Sequence, residues 1–225
     1  MKILVRTESK DNEESIQRWF DIEVEDGENT ILVYPNTQTF RQIYTKYVKD
    51  HLVSARKQEV EEENNNSSRD VYEQSKSRIT FIAPFYETVD SVKHQLSAFG
   101  VENVQGLTDS GSLVISDSFH SFFPDPNGMK KLIDSLSERA RKEGRLGVTA
   151  IVDVGFFFLF GGDSKAADLI SYEASLAPKT QDGNVKGISC YHWGNYETLT
   201  EEDKELLTQG QKKKLLEVRE IRNHS

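Results

Sequence analysis

The sequence predicts an α/β fold: a three-layer α/β/α domain on a mostly parallel, doubly wound sheet with helices on both faces. Three observations lead there. Short runs rich in β-branched and aromatic residues recur along the chain. Amphipathic stretches of roughly 10–16 residues separate them. The most apolar run, Gly147–Asp153, carries no alternation of apolar and polar residues, as expected of a central strand covered on both faces. With 225 residues, 36% of them hydrophobic and 29% charged, the chain can build one large core and is not composed like a disordered protein.

Residues 1–28 read as a polar lead with a short amphipathic helix, in which Ile16, Trp19 and Phe20 fall at helical spacing behind an Asn12 cap and before the Gly27 break. Residues 29–222 read as the α/β domain. Thr30–Tyr34 is a buried strand, Pro35 to Thr37 end it, and a helix follows from Gln38 to Val53, a strand–turn–helix opening of a βαβ unit. Residues 54–77 include the polar low-complexity run EVEEENNNSSR, which buries too little apolar area to offset its ordering entropy and reads as an insertion. Arg78–Ala83 is the second strand, followed by a helix from Thr88 to Phe99 with Gly100 at its C-terminal end. Val101–Leu107 reads as a minor strand and Ser112–Asp117 as a third strong one. A helix over Met129–Gly144, the strand Gly147–Asp153, a helix over Ala166–Leu176 and the strand Gly187–His192 follow. Thr200 then caps an acid-led last helix expected to reach Arg222.

The net charge of −9 and pI of about 5.2 repel phosphate backbones and anionic lipid surfaces, so direct nucleic-acid and membrane partners are not expected; Lys212-Lys213-Lys214 is the one basic cluster. The single cysteine, Cys190, fits a reducing, cytoplasmic setting. The N-terminus turns polar at once, unlike a signal peptide, and the greasiest run, Val148–Phe160, contains Asp153 and is too short to span a bilayer.

In open α/β sheets ligands lie beyond the C-terminal strand ends. The junctions delivered there are Tyr34–Thr37, Pro84–Glu87, Asp117-Ser118, Asp153–Gly155 and His192-Trp193, and the candidate ligand-binding set within them is Tyr34, Asn36, Thr37, Tyr86, Glu87, Asp117, Asp153 and His192. A phosphate-binding loop needs glycines whose amides wrap phosphate, a lysine and a Ser/Thr for magnesium. The first strand–helix junction reads Tyr34-Pro-Asn-Thr-Gln-Thr-Phe40, without glycine or lysine, and Pro35 removes an amide donor. Thr37 and Thr39 fit either helix capping or an anion contact. Asp153 and Asp117 end apolar strands, where acids hold magnesium in active enzymes but also cap turns. Cys190 and His192 share one face of a strand but lack a second Cys/His pair for a metal site, and a buried cysteine beside a hydrogen-bonded histidine fits them better. Phe156–Phe160 fits core packing, with a dimer surface as the alternative. No catalytic residue, metal or cofactor is assigned.

Several motifs in order carry a family resemblance: Ile31-Leu-Val-Tyr-Pro35, Ile82-Ala-Pro-Phe-Tyr-Glu-Thr-Val-Asp-Ser91, Gly111-Ser-Leu-Val-Ile-Ser-Asp-Ser118, Asp153-Val-Gly-Phe-Phe157, Tyr172-Glu-Ala-Ser-Leu176 and Cys190-Tyr-His192. Over residues 30–210 the chain resembles the MEDS domain, the sensory domain of methanogen/methylotroph DcmR-type proteins. That resemblance implies a RecA/KaiC-like sheet whose phosphate loop, at Tyr34–Thr37, has decayed. It puts Asp153 at the former Walker-B position and Glu87 near the catalytic acid of active relatives. The family's histidines near Leu206-Leu207 are not matched by Thr208-Gln-Gly-Gln211. The function implied is a non-catalytic sensory or regulatory module in signal transduction or transcriptional regulation. Its expected partner is a small-molecule ligand or a regulatory protein, with a homodimer as a further option and output through a partner or self-association. The alternative is a divergent nucleotide-binding hydrolase with a degenerate P-loop.

Overall fold

A computed structural model describes residues 3–7, 29–53, 77–116, 128–181, 184–208 and 213–220. Seven strands form one sheet: β1 (Ile3–Thr7), β2 (Asn29–Tyr34), β3 (Arg78–Ala83), β4 (Leu113–Ile115), β5 (Gly147–Asp153), β6 (Val185–His192) and β7 (Lys213–Glu220), in the spatial order β1-β7-β2-β6-β5-β3-β4. Every neighbouring pair from β7 to β4 is parallel, and β1 alone runs antiparallel, against β7. The helices are α1 (Thr37–Val48, continued by a π-helical turn Lys49–Val53), α2 (Val89–Ala98), α3 (Val104–Asp109), α4 (Gly128–Lys142), α5 (Gly155–Phe160), α6 (Lys165–Gln181), α7 (Trp193–Tyr196) and α8 (Glu201–Thr208).

Alternation along the strands divides the interior into two cores, because successive side chains in a strand leave opposite faces. Ile31, Val33, Val148, Ala150 and Val152 join α4, α5, α6 and α8 residues such as Ile133, Phe156, Leu169 and Leu207. Leu32, Tyr34, Ile82, Ile151 and Ile188 join α1, α2 and α3 through Phe40, Tyr44, Leu96 and Val104. All seven residues of β5 are buried, which explains their unbroken apolar character. Connections that move from β2 toward β4 use the α1–α3 face, and those that return through β5 and β6 to β7 use the other. The crossovers therefore share one hand, and all parallel strands end at one edge.

Several expectations are corrected. Ile3–Thr7 belongs to the sheet and not to a polar lead; its partner lies far along the chain, with Val5 opposite Val218. The final helix stops at Thr208, and Lys213–Glu220 is a strand parallel to β2. Its Lys, Leu and Glu residues favour helix intrinsically, and pairing on both edges overrides that preference. Val101–Leu107 is not a strand: Asn103 takes a left-handed conformation, accepts the Gly106 N–H and starts α3. Val101, Val104 and Leu107 are buried at a spacing of three, a helical period. The third strand shrinks to Leu113–Ile115 at the sheet edge, where one neighbour suffices. The expected helix near Ile16 and residues 54–76 of the expected insertion over 54–77 lie outside the described residues. Among the described residues, no helix is long and apolar enough to cross a membrane.

Inside the α6 face one buried acid is bonded over long range. Glu173, 1% exposed, accepts Asn29 Nδ2 at 3.1 Å and the Tyr191 hydroxyl at 2.9 Å. At the opposite end of the sheet from the strand-end edge, Gly147 has φ +132, and a Cβ there would overlap the Asn184 carbonyl oxygen, which accepts the Val148 N–H at 2.8 Å. Gly144 has φ +70 with open space around it. Gly147→Ala is therefore expected to lower stability by roughly 1–3 kcal/mol, and Gly144→Ala by about 1 kcal/mol. Urea unfolding of the two variants tests this, and equal losses would show that the Asn184 contact is relieved at little cost.

Candidate functional site

The C-terminal ends of β2, β3, β5 and β6 bring Tyr34, Tyr86, Asp153 and His192 together. Asp153 is fully buried. Its Oδ2 accepts the Tyr34 hydroxyl at 2.6 Å and its Oδ1 accepts the Gly155 N–H at 2.9 Å; the Phe85 backbone N–H donates to the same carboxylate. Burial pushes the Asp153 carboxyl up to about 6, against the downward pull of these three hydrogen bonds. Burial and the neighbouring Asp153 charge hold the Tyr34 phenol far above its usual range, so Tyr34 remains the donor. The glycine after Val154 has a steric reason: a Cβ at Gly155 would come 2.6 Å from Phe85 Cδ1 and 3.1 Å from Asp153 Oδ1.

The second acid is also engaged. Glu87 follows β3 and is almost wholly buried. It accepts Arg41 Nε at 2.8 Å, Ser91 Oγ at 3.2 Å and the Tyr44 hydroxyl at 3.4 Å. The Tyr44 phenol is raised by burial and then by Glu87. These contacts tie α1 to the start of α2, where Thr88 Oγ1 caps the helix by accepting the Ser91 N–H.

At the first junction, Asn36 Oδ1 accepts the Thr39 N–H at 2.9 Å and the Thr39 hydroxyl at 3.1 Å. Asn36 thus caps α1, and Thr37 is the first residue of that helix. The Tyr34 ring stacks on Phe40 at 5.1 Å and meets His192 edge-on at 5.5 Å. His192 caps α7 by accepting the Gly194 N–H on Nδ1 at 3.2 Å and contacts the Tyr86 ring at 6.2 Å. Tyr86 is 51% exposed, and its hydroxyl accepts Asn195 Nδ2 at 3.3 Å.

The structure unites Tyr34, Tyr86, Asp153 and His192 in direct contact, and places Glu87 in an adjoining cluster and Asn36 and Thr37 at the start of α1. Asp117 lies outside the described residues. Cys190 is buried on the strand beside Asp153, and burial pushes its thiol well above the usual range, which leaves it an inert core residue. Among the described residues, no three His, Cys, Asp or Glu side chains gather as a metal site. The Phe156–Phe160 run divides: Phe156 and Phe157 are buried, whereas Leu159 and Phe160 are exposed. Phe85 and Gly155, expected at this edge from sequence, complete the arrangement together with Arg41, Tyr44, Ser91 and Asn195, which were not expected there. Arg41 and Asn195 reach partners 46 and 109 residues away, which no local pattern marks.

No family model and no curated protein matches the chain. Among solved structures it is similar to the crystal structure of a KaiC-like protein from the hyperthermophilic archaeon Pyrococcus horikoshii. The two are 11% identical over 88% of this chain and 76% of that one, with a TM-score of 0.51. At that identity the likeness establishes the fold alone, and this chain has a RecA/KaiC-like three-layer α/β/α architecture.

Two outcomes follow from the Asp153 cluster. Tyr34→Phe removes a donor from a buried carboxylate and is expected to cost roughly 1–3 kcal/mol in urea unfolding; a negligible loss would mean that water replaces the hydroxyl. The folded-state carboxyl titrates near 6 and the free group near 3.8, so between those values the folded protein holds the extra proton. The contribution of Asp153 to stability therefore falls as pH rises from about 4 to 6 and is flat above. Asp153→Asn lacks this slope, and its stability relative to the parent should improve across that window, whatever its baseline. Unfolding midpoints at intervals between pH 4 and 7 read the difference, and parallel curves would contradict the buried-acid assignment.

Proposed function

We propose that this chain is a non-catalytic sensory or regulatory module of the MEDS type, which binds a small ligand or a partner protein at the C-terminal strand edge and relays the change through a surface. The observation that carries the reading is the engagement of both edge acids. Asp153 receives three hydrogen bonds from its own chain, and Glu87 is held by Arg41, Tyr44 and Ser91. A base or a magnesium ligand must offer lone pairs to water or metal, and these oxygens are directed at internal donors. The first junction supports the same reading, since Asn36 spends its side chain on capping α1 where a phosphate cradle would need glycine amides and a lysine. The ordered motifs that resemble those of MEDS domains support the sensory role, and the likeness to a KaiC-like protein supports the scaffold.

The purified protein is expected to show no magnesium-dependent ATP turnover. Thermal-shift screening against small metabolites, followed by isothermal titration, should find a ligand whose stabilisation is lost in His192→Ala. ATP turnover that disappears in Asp153→Ala would overturn the proposal.

A further inference from the structure

We propose that the rim beside this edge, centred on Tyr86, is a stacking subsite for an uncharged planar aromatic or heteroaromatic ring. The inference rests on the binding-module reading above and names the ligand class. Six large apolar or aromatic side chains are exposed among the described residues, and three of them, Tyr86 at 51%, Leu159 at 64% and Phe160 at 41%, belong to the β3 and β5 strand ends. Phe85, packed on the core, contacts both exposed rings, Tyr86 at 4.7 Å and Phe160 at 6.5 Å.

Tyr86 is exposed yet held. Its hydroxyl is bonded to Asn195, and its ring touches Phe85 and His192. Those two neighbours meet it steeply, at interplanar angles of 72° and 67°. The interior pair Tyr34–Phe40, by contrast, stacks at 23°. Among the described residues no ring lies flat on Tyr86, and the side chain is half exposed while its orientation is held. A pre-positioned ring loses little rotamer freedom when a ligand stacks on it.

Size and charge select the occupant. Three partly exposed side chains offer on the order of 300 Å² of apolar surface, against roughly 800 Å² per partner in a stable protein interface, so the patch suits a ring better than a second chain. Among the neighbouring polar atoms, the Tyr86 hydroxyl oxygen accepts from Asn195, His192 Nδ1 accepts from Gly194, and Arg41 Nε donates to Glu87. What the rim offers is an aromatic face, and a net charge of −9 disfavours a phosphorylated ligand at long range.

Indole serves as the planar probe and cyclohexanol as a non-planar control of similar polarity, each titrated into the full chain and followed by shifts of the Asn195 side-chain amide and the His192 ring. Indole is expected to bind saturably in the millimolar range and cyclohexanol much more weakly. Tyr86→Phe should retain indole affinity within about threefold, and Tyr86→Ala should lose about tenfold, with unchanged melting showing that the exposed position tolerates the change. Absence of saturable indole binding, equal binding of both probes, or undiminished affinity in Tyr86→Ala overturns the stacking subsite. So does a concentration-dependent dimer in sedimentation that Tyr86→Ala dissolves, because the rim then belongs to a second copy. None of these results touches the binding-module reading, which stands or falls on ATP turnover and on a ligand effect lost in His192→Ala.

Discussion

The carboxyl of Asp153 sits at the end of a strand buried on both faces, out of reach of water, and the strand-end architecture follows from what that requires. A buried carboxyl is tolerable only when its oxygens are hydrogen-bonded. Its donors come from three places: the Tyr34 hydroxyl at the end of β2, the Phe85 amide after β3 and the Gly155 amide at the start of α5. One side chain thereby fixes the spacing of three strand ends. The close approach of Phe85 to Gly155 is part of the same arrangement, since any side chain at 155 would drive into the Phe85 ring or the carboxylate.

Glu87 repeats the logic one layer out. Its contacts with Arg41 and Tyr44 on α1 and Ser91 on α2 lock two of the three helices that cover one face of the sheet. Tyr34 connects the acid clusters to the surface: its hydroxyl is on Asp153, its ring lies on Phe40, and its edge meets His192, which in turn touches Tyr86. A ligand resting on the exposed tyrosine would press on a continuous series of contacts that ends at a buried titratable group. These contacts form a continuous route from the rim to the strand ends.

The legible parts of the sequence were those with dense local signals. Gly147–Asp153 and Arg78–Ala83 coincide with β5 and β3, because parallel strands buried on both faces are unbroken apolar runs. The amphipathic faces of α1 and α4 were legible for the same reason. Val101–Leu107 was misread because a seven-residue segment with apolar residues at a spacing of three satisfies either period loosely, and the left-handed Asn103 that turns it into a helix leaves no unique mark. Lys213–Glu220 was misread because its local preference is helical, and only pairing with β2 and β1 makes it a strand.

By itself the sequence determined the parallel α/β class, the central strands and, at the ends of β2, β3, β5 and β6, which residues lie at the strand-end edge, because side-chain periodicity and turn residues act over a few neighbours and the parallel topology sends every strand end the same way. It also determined that the first strand–helix junction, Tyr34–Phe40, offers neither glycine nor lysine, which is a matter of residue type at one short junction. Only the tertiary structure decided that Asp153 and Glu87 are consumed by Tyr34 and Arg41, that Phe160 faces outward while Phe156 does not, and that the two ends of the described chain pair in one sheet. Those outcomes depend on contacts between residues tens to hundreds of positions apart, and no local pattern encodes which buried acid a distant hydroxyl or guanidinium will reach.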